Sequence, residues 1–572
     1  MWNAEEIASQ LAVIDGKEAP DLIITNATYL HSVLKQWKTG TIWVKHGRIL
    51  YTGERMPTMA EGAELFDATG KWIVPGYIEP HVHPFQLYNP ETFAQFAAQH
   101  GTTTFLSDNL MLLMSIDPQQ AFTLLDQLKD LPFSFYWWAR MDSQTDLQNE
   151  AEIFAPEKVA EWLKRDDVLM GGELTGWPRL LKGDPVMTAS LQKAKQLGIK
   201  VEGHLPGASE RTLARMRLLG VNGDHESMTA DEVELRLLQG YAVTLRESSI
   251  RPDLKPLLEG ILEKGLDVFD HLMMTTDGSP PLFHEDGVMD KCIRIALEVG
   301  VDPIDAYQMA SYNIARYYDI DELHSVIAPG RFATLNFLSD IGKPNPSDVL
   351  SKGIWLKRDG QACIKFNKAD WSIFPDFAPE FDLALEELTA TEPTGIDMLN
   401  DVITKPYVTT VNLSAEQLEG DHDESFLALI DRNGKWRVNT IIKGFARSVQ
   451  GLASSYSNTG DIILIGKDKN EMLLAFRHLK KLGGGIVLAE NDGIVCELPL
   501  SIGGSLSDQP IETLREHERV FKQALRDRGY EKGDAVYSLL FLQSTHLPYV
   551  RVTQLGVLDV MRDKVLIPMT ER

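Results

Sequence analysis

Short apolar segments alternate with helix-like segments through the middle of this chain, and this alternation limits the possible folds more than any other feature. The apolar segments are GTTTFLSD, FSFYWWAR, VLMGGELTG, IKVEGHLPG, GVNGDHES, YAVTLRESS and DVFDHLMMTTDG, with stretches such as MTASLQKAKQLG between them. Strands that alternate with helices form parallel sheets. About eight strands in roughly 250 residues suit a closed barrel better than an open sheet. We therefore predict an α/β protein with a (β/α)8 barrel over residues 74–321.

The two flanks of this region and the last third of the chain differ from it. Residues 1–73 contain short alternating strands closed by turns, and a similar pattern returns within residues 322–375. We therefore predict one small β domain that is split between both segments. A stretch rich in Pro, Glu and Asp then leads to residues 385–572, whose own strands and helices predict a separate C-terminal α/β domain.

Polar side chains occupy the predicted strand ends, beginning with the histidine pair of VPGYIEPHVHP. Residues i and i+2 of a strand point to the same side, so His81 and His83 would converge. Later strand ends add Glu173, His204, His225 and Asp277. Taken singly, a histidine before a turn is more often a solvated loop residue, and an aspartate before glycine is an ordinary turn former. Because the carboxyl ends of barrel strands meet at one rim, their joint occurrence favours a metal site.

Six side chains of this kind exceed the needs of one catalytic ion. A catalytic ion takes about three protein ligands and keeps one position open. We therefore predict two divalent ions that share Glu173 as a bridge. Two ions ~3.5 to 4 Å apart would also hold a bridging hydroxide at neutral pH. Mixed histidine and carboxylate ligands accept Zn²⁺, Mn²⁺ and Fe²⁺, and they do not choose among these ions.

The formal net charge of −26 limits the expected partners. An acidic protein repels phosphate backbones and anionic lipids, so we expect neither nucleic acid nor membrane as a partner. Three cysteines lie far apart without a Cys-x-x-Cys pair, which argues against disulfides and against a thiolate zinc site. The first residues, MWNAEEIASQLAVIDG, lack the basic and apolar regions of a secretory signal. We expect a cytoplasmic protein that acts on a small molecule.

Motifs along nearly the whole chain match one known family. They are PGYIEPHVHP, GTTT, GGELTGWP, GHLPG, DHES, LRESS, MTTDG and IAPGRFATL, followed in the last domain by NGKWRVNTIIKGF, LPLSIGGSLSD and LGVLDV. Together they resemble the adenine deaminases of the amidohydrolase superfamily. The resemblance implies a hydrolase of purine metabolism that acts on carbon–nitrogen bonds. It also implies a (β/α)8 barrel with a split β domain and a binuclear centre of manganese or iron rather than zinc.

Three stretches depart from the pattern of that family. Asp108 is followed by Asn109, Leu110 and Met111 where adenine deaminases usually continue with Pro-His-Glu. Gly278–Pro280 replaces the usual Asp-Arg-His, and ASSYSNTGD stands where a His-Asp-Ser-His stretch is expected. Each departure removes imidazole or charge, while the six candidate ligands remain. We therefore expect the metal chemistry to be kept, and the substrate stays open.

For adenine, the hydroxide would attack the ring carbon that carries the exocyclic amine, and hypoxanthine and ammonia would be released. Asp277 would take the proton of the hydroxide and pass it to the leaving amine. Glu226 is the first candidate for the acid that protonates the ring nitrogen, although it fits equally well as a group that orients a histidine. Glu247 is the alternative acid. Arg246 and Glu247 are also candidate substrate contacts, and Arg246 equally fits as the anchor of a carboxylate.

Two other functions fit the same residues. The first is hydrolysis of another amino-heterocycle or of a cyclic amide, which needs the same ions and fewer groups that contact a base. The second is noncatalytic binding of a purine or a metal, against which the presence of Asp277 and Glu226 argues. The C-terminal domain fits either a cover over the barrel mouth or an oligomer interface, and we expect a homo-oligomer.

Overall fold

Eight parallel strands form the centre of the molecule, as the alternating segments predict. The computed structural model describes residues 4–363, 366, 369–420 and 422–572. The strands follow one another in chain order around an almost closed barrel. Barrel strands 1 to 8 are Tyr77–Val82, Thr102–Ser107, Ser134–Ala139, Val168–Leu174, Lys200–Gly203, Gly223–Asp224, Ala242–Arg246 and Leu272–Thr275. The prediction of a (β/α)8 barrel is confirmed.

Side chains join barrel strand 8 to barrel strand 1 at the seam of the barrel. The hydroxyl groups of Thr275 and Thr276 donate to the two carboxylate oxygens of Glu79, over 2.5 and 2.6 Å. Glu79 is completely buried, and burial raises its pKa to about 7. These bonds fix the end of strand 1, where His81 lies, against the end of strand 8.

Helices surround the barrel between its strands. Asn89, Asp117 and Asp184 each precede a proline, and their side chains accept hydrogen bonds from the first turn of the following helix. Proline is well suited to that first position because its missing N–H would be unpaired there in any case. The full set of helices around the barrel is Pro90–Gln99, Leu110–Ser115, Pro118–Lys129, Glu150–Ile153, Pro156–Leu163, Trp177–Leu181, Pro185–Gln196, Glu210–Leu219, Ala230–Leu238, Leu254–Glu263, Met289–Glu298, Pro303–Met309 and Tyr312–Tyr317. Within the described residues, no helix is both long enough and apolar enough to cross a membrane.

An apolar layer fills the barrel beneath the carboxyl ends of its strands. It contains Ile78, Leu106, Trp138, Met170 and Met273. The ring of Trp138 lies 4.3 Å from the ring of His81, measured between centroids. The polar groups at the strand ends therefore lie next to an apolar layer of low dielectric constant, which strengthens the electrostatic interactions between them.

A second sheet joins strands from the two flanks of the barrel. Its strands are Leu22–His31, Gln36–Lys45, Arg48–Gly53, Glu64–Asp67, Trp72–Pro75, Leu335–Leu338, Asp348–Ser351, Ile354–Arg358 and Gln361–Ala362. Trp72–Pro75 pairs antiparallel with Leu335–Leu338, and only Gly76 separates it from barrel strand 1. The sheet is thus anchored to the strand that carries His81. Helix Ala4–Ile14 packs against its Arg48–Gly53 strand.

The last third of the chain forms a further α/β unit on the barrel mouth. Its main sheet contains Thr394–Met398, Thr404–Val408, Glu424–Ile430, Trp436–Lys443, Gly451–Ser454, Ile462–Gly466, Gly485–Glu490, Gly493–Pro499 and Thr570–Glu571. Val550–Thr553, Gly556–Asp559 and Lys564–Pro568 form a small sheet, and the helices are Lys469–Leu482, Ile511–Arg526 and Ala535–Phe541. Leu506–Ser507 pairs in parallel with Leu87–Tyr88, which follows barrel strand 1. This unit therefore covers the rim where the candidate ligands lie.

Candidate metal centre and active site

The first group of candidate ligands consists of His81, His83 and Asp277. Atom Nε2 of His81 lies 3.3 Å from Oδ1 of Asp277, and Nε2 of His83 lies 3.4 Å from the same oxygen. The first two residues come from the end of barrel strand 1, and the aspartate follows strand 8. Strands that are distant in sequence but adjacent at the seam therefore bring three ligand atoms together.

The second group consists of Glu173, His204 and His225. Atom Nδ1 of His204 lies 2.6 Å from Oε1 of Glu173, and Nε2 of His225 lies 3.3 Å from the same oxygen. The other oxygen of Glu173 lies 3.7 Å from Nε2 of His83, in the first group. The carboxylate therefore lies between the two groups, where a bridge between two ions would have to be.

Carboxylates lie beside the outer nitrogens of three of these imidazoles, and hydrogen bonds join them to those of His83 and His225. Asp108 lies 2.8 Å from Nδ1 of His83. One oxygen of Glu202 lies 2.8 Å from Nδ1 of His225 and 3.2 Å from Nδ1 of His81. A carboxylate on Nδ1 orients the ring and leaves Nε2 for a metal. The sequence analysis did not assign a role to Glu202, although a glutamate inside the apolar segment IKVEGH indicates a buried partner.

The residues present fit a pair of divalent ions. Among the described residues, Nε2 of His81, Nε2 of His225 and Oδ1 of Asp277 are buried and have no hydrogen-bond partner. Buried polar atoms of this kind are rare in proteins unless something else satisfies them. Three atoms that belong to two adjacent ligand groups, with mixed nitrogen and oxygen character, suit Mn²⁺, Fe²⁺ or Zn²⁺.

A tight turn presents Asp277 to the other ligands. Asp277 has φ of 57° and Gly278 has φ of 60°, so two successive residues adopt the left-handed conformation. A Cβ atom on Gly278 would lie 2.5 Å from the backbone nitrogen of His83. The turn requires glycine at position 278, and aspartate adopts the left-handed conformation of position 277 more readily than most residues do.

Arg246 connects Asp277 to Glu226. Its guanidinium lies 2.6 Å from Oδ2 of Asp277 and 2.6 Å from Oε1 of Glu226. The second oxygen of Glu226 is paired with Arg251 over 2.7 Å. Burial alone would raise the pKa of Glu226, but the positive charges of His204, Arg246 and Arg251 outweigh it and lower the pKa. Of the two roles considered for Glu226, these contacts favour orientation of its neighbours, because both of its carboxylate oxygens are paired with arginines.

Two further charged side chains near the strand ends are those of Glu247 and Arg140. The carboxylate of Glu247 lies 3.4 Å from Lys291, and within the described residues it forms no ion pair with a candidate ligand. Arg140 is completely buried and donates from Nη1 to the carboxylate of Glu173 over 3.0 Å. The sequence analysis did not identify Arg140, whose position directly after the apolar segment FSFYWWA was the available indication.

The C-terminal domain closes the space above the two ligand groups. The hydroxyl of Tyr456 donates to Gln86, which follows His83 in the chain. The ring of His546 lies 5.2 Å from the ring of His204, edge to face. The side chains of His83 and His204 remain 15% and 13% exposed, while those of His81 and His225 are fully covered. The His83 and His204 side is therefore the more open side of the two ligand groups.

Comparison with known proteins supports both parts of the chain. A model described as Amidohydrolase family matches residues 72–356, and one described as Adenine deaminase C-terminal domain matches residues 401–564. "Putative adenine deaminase YerA" of Bacillus subtilis (strain 168) is 48% identical over 100% of this chain and 99% of its own length. The chain belongs to the adenine deaminase family. The expected family, the barrel fold and the class of hydrolase that acts on carbon–nitrogen bonds are thereby confirmed.

Two relatives from one organism differ in how similar they are to this chain. Oceanobacillus iheyensis has a protein named "Putative adenine deaminase OB0751" that is 45% identical over 100% of this chain and 99% of its own length. The same strain has a protein named "Adenine deaminase" that is 27% identical over 97% of each chain. One organism thus carries two members of the family, and this chain is more similar to the first of them.

Proposed function

We propose that this protein deaminates adenine by metal-dependent hydrolysis and releases hypoxanthine and ammonia. The observation that carries the proposal is that two three-residue ligand groups lie side by side in a member of the adenine deaminase family, with Glu173 of the second group 3.7 Å from His83 of the first. We propose His81, His83 and Asp277 as ligands of one ion, His204 and His225 as ligands of the other, and Glu173 as a ligand of both. Manganese or iron is the expected metal.

The bound ions would supply an activated water for attack on the ring carbon that carries the amine. Asp277 is proposed to take one proton from this water and to deliver it to the departing amine. Arg246 holds Oδ2 of Asp277, so this aspartate is kept in place with Oδ1 toward His81 and His83. One water is consumed and one ammonia leaves, so no oxidant or further co-reactant is required.

Glu226 and Arg246 are proposed to act through their neighbours. The two arginines that pair with Glu226 keep this carboxylate fixed beside His225, whose Nε2 lies 3.3 Å from it. Arg246 has both carboxylate contacts and a bond to Ser248 over 2.9 Å, so its donors are largely used within the protein. The sequence names Glu226 first and Glu247 second as the acid that protonates the ring nitrogen, and because the arginine contacts of Glu226 favour the orienting role, Glu247 stays the alternative acid as a prediction.

We propose that the protein is cytoplasmic. We also propose that it is a homo-oligomer and that it acts on a small molecule. Cys292, Cys363 and Cys496 are unpaired in the structure, which suits a reducing compartment. The acidic net charge of −26 disfavours nucleic acid and anionic membranes as partners.

A second candidate function is hydrolysis of a different amino-heterocycle or of a cyclic amide at the same centre. The observation that favours it is the apolar replacement after Asp108. Leu110 is buried and begins the helix Leu110–Ser115, and Met111 packs partly buried on the barrel core. Apolar side chains therefore follow Asp108 where the resemblance leads us to expect an imidazole and a carboxylate.

The test of the proposed function is ammonia release from adenine by the purified full-length protein. The protein is loaded separately with Mn²⁺, Fe²⁺ and Zn²⁺, and turnover of about 1 per second or faster is expected. The variant Asp277→Asn should lose about a thousandfold in kcat, because it can neither accept nor deliver the proton.

Asp270→Asn is the matched control, since it makes the same change at an exposed position before the same strand. A silent wild-type protein that binds two equivalents of metal would reject adenine as the substrate. Other aminopurines, pterins and cyclic amides would then be assayed in the same way, and silence on all of them would support a noncatalytic binding protein.

A further inference from the structure

The C-terminal domain places an imidazole directly against a candidate metal ligand. His546 lies in the turn between helix Ala535–Phe541 and strand Val550–Thr553. Its ring is 5.2 Å from that of His204, with the two planes 88° apart. His204 is one of the two candidate ligand histidines that keep some exposure, so His546 lies on the more open side of the two ligand groups.

The hydrogen bonding of His546 defines what this imidazole can offer. Atom Nδ1 lies 3.3 Å from the backbone carbonyl oxygen of Gln144. A carbonyl oxygen only accepts, so Nδ1 carries the hydrogen, and in the neutral ring Nε2 carries a lone pair. Among the described residues, Nε2 has no hydrogen-bond partner. The turn thus presents an unused acceptor at the barrel mouth.

A buried arginine holds this turn in place. Arg551 is 1% exposed and donates to the carbonyl oxygens of Ser544 and Pro548 over 3.1 and 2.6 Å. It also donates to the hydroxyl of Thr404 over 3.1 Å. The backbone nitrogen of Thr545 donates to the same carbonyl of Gln144 over 2.9 Å. His546 is therefore preorganised, and a preorganised group contributes more to binding because less freedom is lost.

We propose that His546 positions the substrate over the metal centre by accepting a hydrogen bond at Nε2 from a substrate N–H group. The inference rests on the proposed function and narrows it, because it requires a heterocycle with an N–H donor. An aminopurine has such donors on its exocyclic amine and on its five-membered ring. The C-terminal domain is then part of the binding site as well as a cover for it.

Calorimetric titration of adenine into the metal-loaded full-length protein tests this role when the position 546 variants are compared in the Asp277→Asn background, where slow turnover keeps reaction heat out of the binding signal. His546→Phe keeps a ring against His204 and removes the acceptor, and it should weaken adenine binding about tenfold because the substrate donor is left unpaired. His546→Gln restores an acceptor and should recover most of the affinity. Metal content and melting temperature should match the wild-type protein in both variants. His478→Phe, at an exposed imidazole of the same domain, should bind adenine as the wild-type protein does.

Several outcomes would overturn the role of His546. Equal adenine affinity in wild-type protein and His546→Phe would reject it, as would a loss of bound metal that explains the weaker binding. A glutamine variant as weak as the phenylalanine variant would also argue against an acceptor.

Failure of the proposed function can be distinguished from failure of the role of His546. A wild-type protein that binds adenine in a His546-dependent manner and releases no ammonia keeps the positioning role and loses the deaminase. A wild-type protein that does not bind adenine rejects both.

Discussion

Two surfaces face each other at the mouth of the barrel, and they differ in charge. The barrel surface carries ionic groups in close pairs, including Arg140 with Glu173 and Arg246 with Asp277. The surface of the C-terminal domain offers uncharged groups, among them Tyr456, Tyr537 and His546. Ionic groups attract and orient cations, whereas neutral donors and acceptors distinguish one uncharged heterocycle from another. The difference indicates that metal chemistry belongs to the barrel and that the C-terminal domain contributes to the choice of substrate.

The barrel surface also depends on a network that extends below the ligands. Asp108 and Glu202 hold the imidazoles that surround the metal positions. The hydroxyl of Tyr318, the residue after helix Tyr312–Tyr317, donates to Glu202 over 3.3 Å. On the opposite surface, the contacts to the barrel are separate from one another and include the hydrogen bond from Tyr456 to Gln86, the ion pair of Arg519 with Glu285 and the short pairing of Leu506–Ser507 with Leu87–Tyr88. Changes in the first surface should therefore cost more than changes in the second.

The largest effect is expected from Glu202→Gln. This change removes the charge that holds His81 and His225, and loss of such a partner typically weakens metal binding about 10- to 100-fold. Competition against a chelator of known affinity would measure it. Glu234→Gln, at a partly exposed ion pair with Lys264, is the control and should bind metal normally. Unchanged affinity in Glu202→Gln would mean that the imidazoles are oriented without this carboxylate.

An intermediate effect is expected at Glu518, where the C-terminal domain meets the barrel. Glu518 accepts a hydrogen bond from the backbone of Leu282 over 2.7 Å, and burial raises its pKa from 4.5 to about 7 despite nearby Lys522. The folded protein therefore retains a proton that the unfolded chain releases, so this contribution to stability is present below pH 4.5 and is lost as the pH rises through 7.

The difference in unfolding free energy between Glu518→Gln and the wild-type protein should therefore shift by about 1 to 2 kcal/mol in favour of the variant as the pH rises from ~5 to ~8. Denaturant unfolding of both proteins across this range would measure the difference. A difference that stays constant with pH, or that changes in the opposite direction, would show that the ion pair with Lys522 keeps Glu518 ionised in the folded protein.

The smallest effect is expected from Tyr456→Phe, which removes the bond to Gln86 from the cover. One hydrogen bond contributes about 1 kcal/mol, so KM should rise about two- to fivefold while kcat and metal content stay unchanged. Steady-state kinetics on the identified substrate would measure it. Tyr407→Phe removes a bond to Glu424 within the same domain and should leave KM unchanged. A fall in kcat for Tyr456→Phe would contradict the assignment of the cover to substrate binding.

The positions of the candidate ligands could be predicted because each depends on local sequence. A histidine or carboxylate directly after an apolar segment lies at the rim of any such barrel, and His204 and His225 needed no further information. The role of Glu202 depends on which imidazoles face it across neighbouring strands, and sequence spacing does not contain that information. Arg246 and Glu247 are adjacent in the chain, yet one contacts Asp277 and the other Lys291, because successive residues point to opposite sides.

The position of the C-terminal domain was equally beyond local patterns. The sequence predicted a separate α/β domain and left open whether it covers the mouth. The contacts that fix it are short-range bonds between distant residues, such as those of Thr545 with Gln144 and of Leu282 with Glu518. Only the folded surfaces of both domains determine such contacts.

The split sheet has a consequence for the order in which the chain can fold during synthesis. Strand Trp72–Pro75, which leads into His81 and His83, has its partner Leu335–Leu338 on the far side of the whole barrel. A ribosome that emits the chain from the amino end exposes these histidines long before Asp277 or the partner strand exists, and domains complete their folding only when all their segments are available. Metal should therefore enter only after Leu335–Leu338 has been synthesised, because only then are the candidate ligands and the sheet that anchors His81 complete.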